Sequence, residues 1–238
     1  MIYTRRKFKM KVIILAAGKG KRLGKYTDGK PKCLLPVGQE SLLSREIRIL
    51  QECGLAKEDI YVVGGYRSEL LEPIAPNMIY NPYYNTKDNS YSLGLALKTV
   101  SDDDVLILDA DLCFEKELIL EIMDDIHENV LLSKRNEDLE ESTGIVTEHS
   151  GRITAIGKQY LGTGYIYISI FKVGKDTIPD FREALLAEKS VKTWYPLAIT
   201  EICEKHTFYN RVTEQRWHEI DFIEDYLETL EMFQLEGK

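Results

Sequence analysis

The chain of 238 residues is short of the features that mark several protein classes. It holds only four cysteines, Cys33, Cys53, Cys113 and Cys203, and no two of them form a C-x-x-C pair. This spacing argues against a zinc or redox centre and predicts buried thiols in a reducing compartment. No apolar run approaches the roughly 20 residues that a membrane span needs. We therefore expect no membrane span, and a cytoplasmic location is the default.

Positive charge is also in deficit, with 31 Lys and Arg against 39 Asp and Glu, for a net charge of -8. An acidic chain is a poor general binder of nucleic acid, so an anionic partner has to meet a local basic site. Glutamine is scarce beside abundant Glu and Lys, a bias of proteins from hot environments. The 44% of hydrophobic residues is enough to bury a substantial core.

Short apolar runs that end in Gly or Asp alternate with helical patterns in the first half of the chain. The patterns predict strands at Lys11–Ala17, Ile60–Val63, Met78–Tyr80 and Val105–Leu108, and helices at Leu42–Cys53, Ser90–Val100 and Glu115–Asn129. Strands that alternate with helices form right-handed βαβ crossovers. The fold class predicted is therefore α/β, a Rossmann-like, doubly wound and mainly parallel mixed sheet.

The second half has shorter strand patterns separated by glycines. Strands are predicted at Gly144–Glu148, Arg152–Ile156, Tyr165–Phe171 and Thr207–Val212, and helices at Thr177–Lys189, Trp194–Lys205 and from Phe222 onward. The chain shows no internal repeat, low-complexity tract or linker. We expect a single domain of residues 1–238 that includes a small additional β element.

A cluster of cations follows the first predicted strand. Its members are Lys19, Lys21, Arg22, Lys25, Lys30 and Lys32. A dinucleotide-binding G-x-G-x-x-G motif is excluded because Leu23 holds the third glycine position, and a P-loop is excluded because Tyr26 follows Lys25. A long loop whose backbone N–H groups and cations surround a polyphosphate remains possible, and a solvated basic loop is the alternative.

Two acidic segments complement this loop. Asp109-Ala110-Asp111 follows a predicted strand, at the sheet edge where ligands bind in open α/β folds. Strand alternation would turn the two carboxylates to opposite sides, so we expect only one to face a ligand directly. Glu219-Ile220-Asp221 is a second source of carboxylates. Hard oxygen ligands of this kind suit Mg²⁺, whereas the structural alternatives are a capped turn and a helix N-cap.

The segments "LAAGKGKRL" and "KPKCLLPV" together resemble the L-x-A-G-x-G-x-R-(x)n-P-K signature of the nucleoside-triphosphate transferases, a family of nucleotidyltransferases. The acidic segments and Tyr84–Leu93 follow in the order expected for that family. The stretch "NPYYNTKDNSYSLGLAL" looks most like its cytidylyltransferase branch, which acts on phosphocholine, aminoethylphosphonate or inositol phosphate. The resemblance implies Mg²⁺-dependent transfer of CMP from CTP to a phosphorylated alcohol, with release of pyrophosphate.

The resemblance also implies a role for individual residues. Arg22 and Lys32 would grip the triphosphate as catalytic cations, and Asp111 and Asp221 would hold Mg²⁺. The nucleotide would be bound by Ala16, Ala17, Gly18, Gly20, Lys21, Gly65, Asn89 and Ser92. Residues 1–135 would then form mainly the nucleotide-binding half of the domain, and residues 136–238 mainly the acceptor-binding half.

The choice of acceptor depends on a few departures from the choline-type pattern. Glu141-Ser142-Thr143-Gly144 has no Trp where choline-type relatives carry one, and Pro196 stands where they place an acid. Lys134, Arg135 and Lys158 supply cations suited to an acceptor phosphate. Together with the hot-environment composition, these departures favour inositol 1-phosphate, giving CDP-inositol.

Other functions stay open at this point. Phosphocholine, 2-aminoethylphosphonate and a sugar 1-phosphate are alternative acceptors, and a nucleotide-sensing module without catalysis is the non-enzyme alternative. The expected partners are CTP and a phosphorylated small molecule, with a homodimer as a further possibility. Base preference separates the enzyme alternatives, since a sugar-1-phosphate enzyme would prefer UTP or dTTP.

Overall fold

The computed structural model describes residues 10–27, 29–100, 102–135 and 142–235. Within these residues, four parallel strands form one side of a nine-stranded sheet. They are β1 (Met10–Ala16), β4 (Ile60–Gly64), β5 (Asn77–Tyr80) and β6 (Asp104–Asp109), in the spatial order β6-β1-β4-β5, and the sheet ends at β5. Because the strands are parallel, their carboxyl ends meet at one edge of the sheet, where ligands bind in α/β folds.

Strands of the second half extend the same sheet beyond β6. They are β8 (Val130–Arg135), β9 (Thr143–Thr147), β10 (Ile153–Gly157), β11 (Tyr165–Val173) and β12 (Tyr209–Val212). The last part of β11 pairs antiparallel with β6, while its first part pairs with β9. The change of partner falls between Tyr167 and Ile170, and the pairing of β11 with β8 on its other side is irregular over the same residues.

Two short ribbons flank the sheet. One joins β2 (Pro36–Val37) and β3 (Glu40–Ser41). The other pairs β7 (Leu112–Phe114) antiparallel with β13 (Trp217–Glu219), with Leu112 opposite Glu219. This second ribbon carries the late acidic segment to the residues that follow β6, so two parts of the sequence about a hundred residues apart meet at the sheet edge.

Helices cover both faces of the sheet. They are α1 (Leu42–Glu52), α2 (Asn89–Thr99), α3 (Lys116–Met123), α4 (Ile178–Leu186), α5 (Pro196–Ile202) and α6 (Ile223–Met232). Val12 and Ile14 of β1 face the core under α1 and α3, whereas Ile13 and Leu15 face the core under α2, α4 and α5. Burial on both faces explains why β1 is a continuous apolar run. A third apolar cluster packs α6 against the loop after β1.

The predicted α/β class, doubly wound and mainly parallel with small additional strands, is confirmed. The predicted helix Glu115–Asn129 is wrong in its second half, since α3 ends at Met123. The side chain of Asp125 accepts a hydrogen bond from the backbone N–H of His127 at 2.9 Å, a local turn that competes with helix formation. The chain then enters β8, which the sequence patterns did not identify.

The four cysteines are buried and free of disulfides, as predicted. Burial raises the pKa of the Cys113 thiol to about 11, so this thiol stays protonated at neutral pH. Over the described ranges, no helix has the length and apolar character required to cross a membrane.

Candidate active site

The loop after β1 is shaped by a close approach between Gly20 and Lys32. Gly20 adopts the left-handed conformation with φ of 59°, and a Cβ at this position would lie 2.7 Å from the Cβ of Lys32. Glycine is the residue that meets both demands, because it has no Cβ and tolerates a positive φ. The loop therefore lies directly against the backbone that carries Lys32.

Replacing Gly20 with alanine is expected to displace Lys32 and to lower turnover by about 10- to 100-fold, since small displacements of a positioned group are costly to catalysis. Gly24→Ala is the matched control. Gly24 also has a positive φ, of 50°, but no atom lies within 4 Å of its added Cβ. Both variants should lose thermal stability, and steady-state kinetics should show the large loss of turnover only for Gly20→Ala. Equal loss in both variants would contradict a specific effect on Lys32.

Lys32 lies between the two acidic segments. Its Nζ is 2.7 Å from Oδ2 of Asp111 and 2.9 Å from Oδ1 of Asp221. Burial lowers the pKa of Lys32, but the charges of Asp111 and Asp221 outweigh burial, so the pKa is raised overall. The ammonium is therefore charged throughout the physiological range. The guanidinium of Arg22 reaches the other oxygen of Asp221 at 3.4 Å and lies over the ring of Phe222.

Backbone contacts fix Asp221 opposite Asp111. The N–H of Ile220 donates to the carbonyl of Asp111 at 3.0 Å, continuing the ribbon of β7 and β13. The side chain of Asp225 accepts hydrogen bonds from the N–H groups of Asp221 and Phe222 at 2.8 and 2.7 Å. Phe222 is the N-cap residue of α6, and Asp225 at the third helical position accepts from its backbone N–H in the manner of a capping box. The predicted N-cap at Asp221 is therefore wrong, and the Asp221 carboxylate faces Lys32.

Asp109 and Asp111 have different surroundings. Asp109 ends β6 and is partly buried, with its Oδ2 accepting a hydrogen bond from the hydroxyl of Tyr195 at 3.2 Å. Burial raises its pKa, and the charge of Asp111 raises it further. Asp111 lies in the turn after the strand, so the alternation of strand side chains does not apply to it. Both aspartates line the same cavity, which corrects the expectation that only one would face a ligand.

A cavity of about 420 Å³ lies at the carboxyl ends of β1 and β6, within the size range of small-molecule sites. This cavity is lined by most of the residues that were predicted to bind the nucleotide, its triphosphate or the metal. They are Ala16, Ala17, Gly18, Gly20, Arg22, Lys32, Asn89, Ser92, Asp111 and Asp221. Lys19 also lines this cavity, with its ammonium 5.6 Å from the ring centre of Tyr84.

A second cavity of about 460 Å³ adjoins the first. Five residues line both, namely Arg22, Asn89, Asp109, Asp111 and Asp221. Its other walls come mainly from the second half of the chain and include Thr143, Lys158, Ser169, Trp194 and Glu219. Glu219 is partly buried, and desolvation followed by the charge of Asp111 raises its pKa. The cations and acids around Lys32 thus stand where two cavities meet.

Two predicted site residues have other positions, and the side chain of a third is not described. Gly65 is absent from the lining of both cavities and packs against Tyr84 and the carbonyl of Ala17, which a Cβ would approach within 2.9 Å. Lys134 lies on β8, opposite Ile166 of β11, and also lies outside both linings. The side chain of Lys21 lies outside the described part of the chain, as does Glu141. Lys158, by contrast, lines the second cavity.

Glu46 on α1 is a buried acid that the sequence did not single out. Its Oε1 accepts a hydrogen bond from the N–H of Leu112 at 3.4 Å, directly after Asp111. Its Oε2 is buried without a hydrogen-bond partner among the described residues. Burial raises the pKa of Glu46 well above its usual value, and the charge of Asp111 raises it further. The periodic pattern of α1 could have flagged Glu46, since it falls among buried positions.

Glu46→Gln is expected to stabilise the protein more at pH 8 than at pH 5. The unfolded chain releases the Glu46 proton near pH 4.3 while the folded chain retains it, so the stability of the wild type falls as pH rises above that value. Glutamine has no proton to lose and keeps an acceptor for Leu112. Each pH unit over which the folded chain keeps the proton adds about 1.4 kcal/mol to the advantage of glutamine, so we expect the advantage to grow by up to about 4 kcal/mol between pH 5 and pH 8. Thermal unfolding at both pH values measures the stability difference between the variant and the wild type, with the exposed Glu117→Gln as control. A stability difference that does not change with pH would contradict the raised pKa of Glu46.

The donor set around Asp111 fits a hard divalent cation. Oδ1 of Asp111 is buried without a hydrogen-bond partner in the residues described, and the carboxylate of Asp221 faces it across Lys32. Carboxylate oxygens with water and phosphate are the ligands that Mg²⁺ prefers. Within the described residues, no group of three or more His, Cys, Asp or Glu residues gathers as a metal centre. A cation here would therefore depend on two carboxylates and a bound phosphate.

Comparison with known proteins gives a family and a fold. The profile of the MobA-like NTP transferase domain matches residues 12–194. The solved structure of the inositol-1-phosphate CTP transferase from T. maritima superposes with a TM-score of 0.75 over 98% of this chain and 99% of that one, at 20% identity. This likeness shows that the two chains share a fold.

Two curated relatives are similar in sequence. The choline-phosphate cytidylyltransferase of Streptococcus pneumoniae is 37% identical over 106 residues, which are 43% of this chain and 44% of that protein. The CTP:phosphoglutamine cytidylyltransferase of Campylobacter jejuni is 25% identical over 91% of this chain and 97% of that protein. The chain therefore aligns with less than half of the first relative and with nearly all of the second.

Proposed function

The chain belongs to the MobA-like NTP transferase family, and from that membership we propose that it transfers CMP from CTP to a phosphorylated alcohol and releases pyrophosphate. The observation that carries the proposal is Lys32 between Asp111 and Asp221, at the meeting point of two cavities. In a nucleotidyltransferase the two substrates react at one phosphorus atom. Two cavities that meet beside charged residues suit such a reaction. The choice of CTP is supported by the two curated relatives, which both carry a cytidylyltransferase name.

The first cavity suits CTP. Ala16, Ala17 and Gly18 offer backbone at the end of β1, where a base and ribose can approach closely. Lys32 and Arg22 supply two cations at the junction with the second cavity. A charge pair about 4 Å apart is worth roughly 4 kcal/mol at an effective dielectric near 20. Two such cations therefore outweigh the net negative charge of the chain in binding a triphosphate.

The reaction proposed is an in-line displacement at the α-phosphorus of CTP. An oxygen of the acceptor phosphate forms the new P–O bond, the bond to pyrophosphate breaks, and pyrophosphate leaves. The acceptor phosphate is already a nucleophile, so catalysis depends on positioning and charge neutralisation. Lys32 and Arg22 neutralise the charge that builds up around phosphorus. Mg²⁺ held by Asp111 and Asp221 would supply further charge neutralisation when bound.

The second cavity suits a polyol phosphate such as inositol 1-phosphate better than a quaternary ammonium. An ammonium head group needs open aromatic faces, but cations of this chain lie over two of the aromatic rings that line the cavity. The ammonium of Lys158 lies 4.1 Å from the ring centre of Trp194, and the guanidinium of Arg22 lies 5.1 Å from that of Phe222. Ser142 and Thr143 supply hydroxyl groups to the same cavity. These groups can hydrogen-bond to a hydroxylated acceptor.

Pyrophosphate release tests the proposal. The protein is incubated with Mg²⁺, each of CTP, UTP, dTTP, ATP and GTP, and an acceptor panel of inositol 1-phosphate, phosphocholine, 2-aminoethylphosphonate and glucose 1-phosphate. We expect release with CTP and inositol 1-phosphate. A clear preference for UTP or dTTP with glucose 1-phosphate would replace the proposal with a sugar-nucleotide activity. Binding of CTP by calorimetry without turnover on any acceptor would indicate a nucleotide-sensing role.

A further inference from the structure

Ser169 has an unusual backbone conformation for its position. It lies in the middle of β11 with φ of 59°, one of three described residues other than glycine with a positive φ. It stands between the part of β11 that pairs with β9 and the part that pairs with β6. The left-handed conformation is unfavourable for a residue with a Cβ. Glycine would allow the same bend in the strand without this cost.

The position of the Ser169 side chain explains why a serine is present despite the unfavourable backbone conformation. Ser169 lines the second cavity, is only 8% exposed, and acts to lower the pKa of the neighbouring Asp109 carboxyl, which also lines that cavity. Tyr195 donates to Asp109 at 3.2 Å, and the hydroxyls of Tyr195 and Tyr167 are 3.1 Å apart. All four residues line the second cavity. We call this linked set, Tyr167, Ser169, Tyr195 and Asp109, the hydroxyl floor.

The hydroxyl floor has hydrogen-bonding capacity to spare. A serine hydroxyl provides one donor and two acceptor sites, and an interaction with one carboxylate occupies at most one of them. Asp109 also lines the first cavity, so the floor lies beside the reacting groups. A buried polar group that gains a partner only from a bound ligand discriminates strongly against ligands without a matching group.

We propose that Ser169 is a specificity-determining residue that reads a hydroxyl group on the carbon skeleton of the acceptor, held in place for that purpose by its left-handed backbone. This inference rests on the proposed transfer to a polyol phosphate. It adds that the strained serine, and not the cations of the cavity, selects a hydroxylated skeleton. An acceptor without hydroxyl groups, such as phosphocholine, leaves the hydroxyl floor without a partner.

The test separates the side chain of Ser169 from its backbone. Ser169→Gly removes the hydroxyl and relieves the positive φ, whereas Ser169→Ala removes the hydroxyl and keeps the strain. Gln234→Gly is the matched control, because Gln234 also has a positive φ, of 53°, but is exposed after α6 and far from both cavity linings. For each variant, the KM values for inositol 1-phosphate, phosphocholine and CTP are measured together with thermal unfolding.

We expect both Ser169 variants to raise the KM for inositol 1-phosphate by about 3- to 10-fold, the range for one lost hydrogen bond. The KM values for CTP and phosphocholine should stay within about twofold. Ser169→Gly and Gln234→Gly should each raise the melting temperature by about 2–4 °C, and Gln234→Gly should leave every KM unchanged. A more stable Ser169→Gly variant with weaker use of the polyol is a result that a purely structural role of Ser169 does not give.

Two results would overturn the inference by different routes. If the protein turns over inositol 1-phosphate but the Ser169 variants keep its KM, Ser169 does not read the acceptor and the proposed function still stands. If no acceptor supports pyrophosphate release with CTP, the inference and the proposed function fail together.

Discussion

Lys32→Met is expected to lower kcat by about 10²- to 10³-fold, comparable with the loss of one preorganised donor to developing charge in other enzymes. Methionine keeps the apolar stem of the side chain but removes the ammonium that lies between Asp111 and Asp221. The reaction then lacks the cation closest to both acids at the junction of the two cavities. Steady-state pyrophosphate release with CTP and the preferred acceptor measures the effect.

The same substitution should cost stability. In the wild type, the carboxylates of Asp111 and Asp221 share the ammonium of Lys32, and in the variant they would face each other without a cation. The loss of a charged hydrogen-bond partner lowers the free energy of unfolding by about 2 kcal/mol. Lys30→Met is the matched control because Lys30 is exposed in the same loop, on the other side of Pro31. It removes the same charge and should change kcat by less than about twofold. If the Lys32 variant kept a third or more of the wild-type kcat, Lys32 would not be the catalytic cation.

Asp111→Asn is expected to lower kcat by about 10²-fold or more, since electrostatic stabilisation by a metal ion contributes several kcal/mol to such reactions. Asparagine keeps the size of the side chain but removes its charge. We expect the variant to bind Mn²⁺ at least about 10-fold more weakly in the presence of CTP, which a titration followed by electron paramagnetic resonance measures. This readout is independent of turnover.

Glu117→Gln on the exposed side of α3 removes an equal charge far from the site and serves as control for Asp111→Asn. It should bind Mn²⁺ as the wild type does. Unchanged Mn²⁺ affinity in the Asp111 variant would place the metal elsewhere, even if turnover fell.

The fold could be predicted where one local pattern decides the structure. A buried parallel strand is apolar on both faces, so β1 and β6 stand out from the sequence alone. The ribbon of β7 and β13 escaped prediction because three-residue strands carry too few positions for a period to show. The strand β8 escaped because its apolar run directly continues a helical pattern, and only the turn at Asp125 separates them.

The candidate site was predictable to the extent that it depends on residue type and order. The motif around Arg22 and Lys32 and the two acidic segments were identified in this way, and the structure gathers them around one point. Ser169 was not identified, because a serine inside an apolar strand carries no local signal, and Glu46 was not singled out although it falls among the buried positions of α1. Their roles depend on long-range contacts. For Ser169 this is the change of β-strand partner within β11, and for Glu46 it is burial under the turn after β6.

The ion pair between Lys32 and Asp221 also has a consequence for the order of events during synthesis. These residues are 189 positions apart, and the hydroxyl of Tyr226 donates to the carbonyl of Pro36 across a similar separation, at 2.6 Å. Both partners of the loop come from the last tenth of the chain. A ribosome that has made the sheet and the loop after β1 has therefore not yet made Asp221, and the cluster around Lys32 is completed only when α6 packs against that loop.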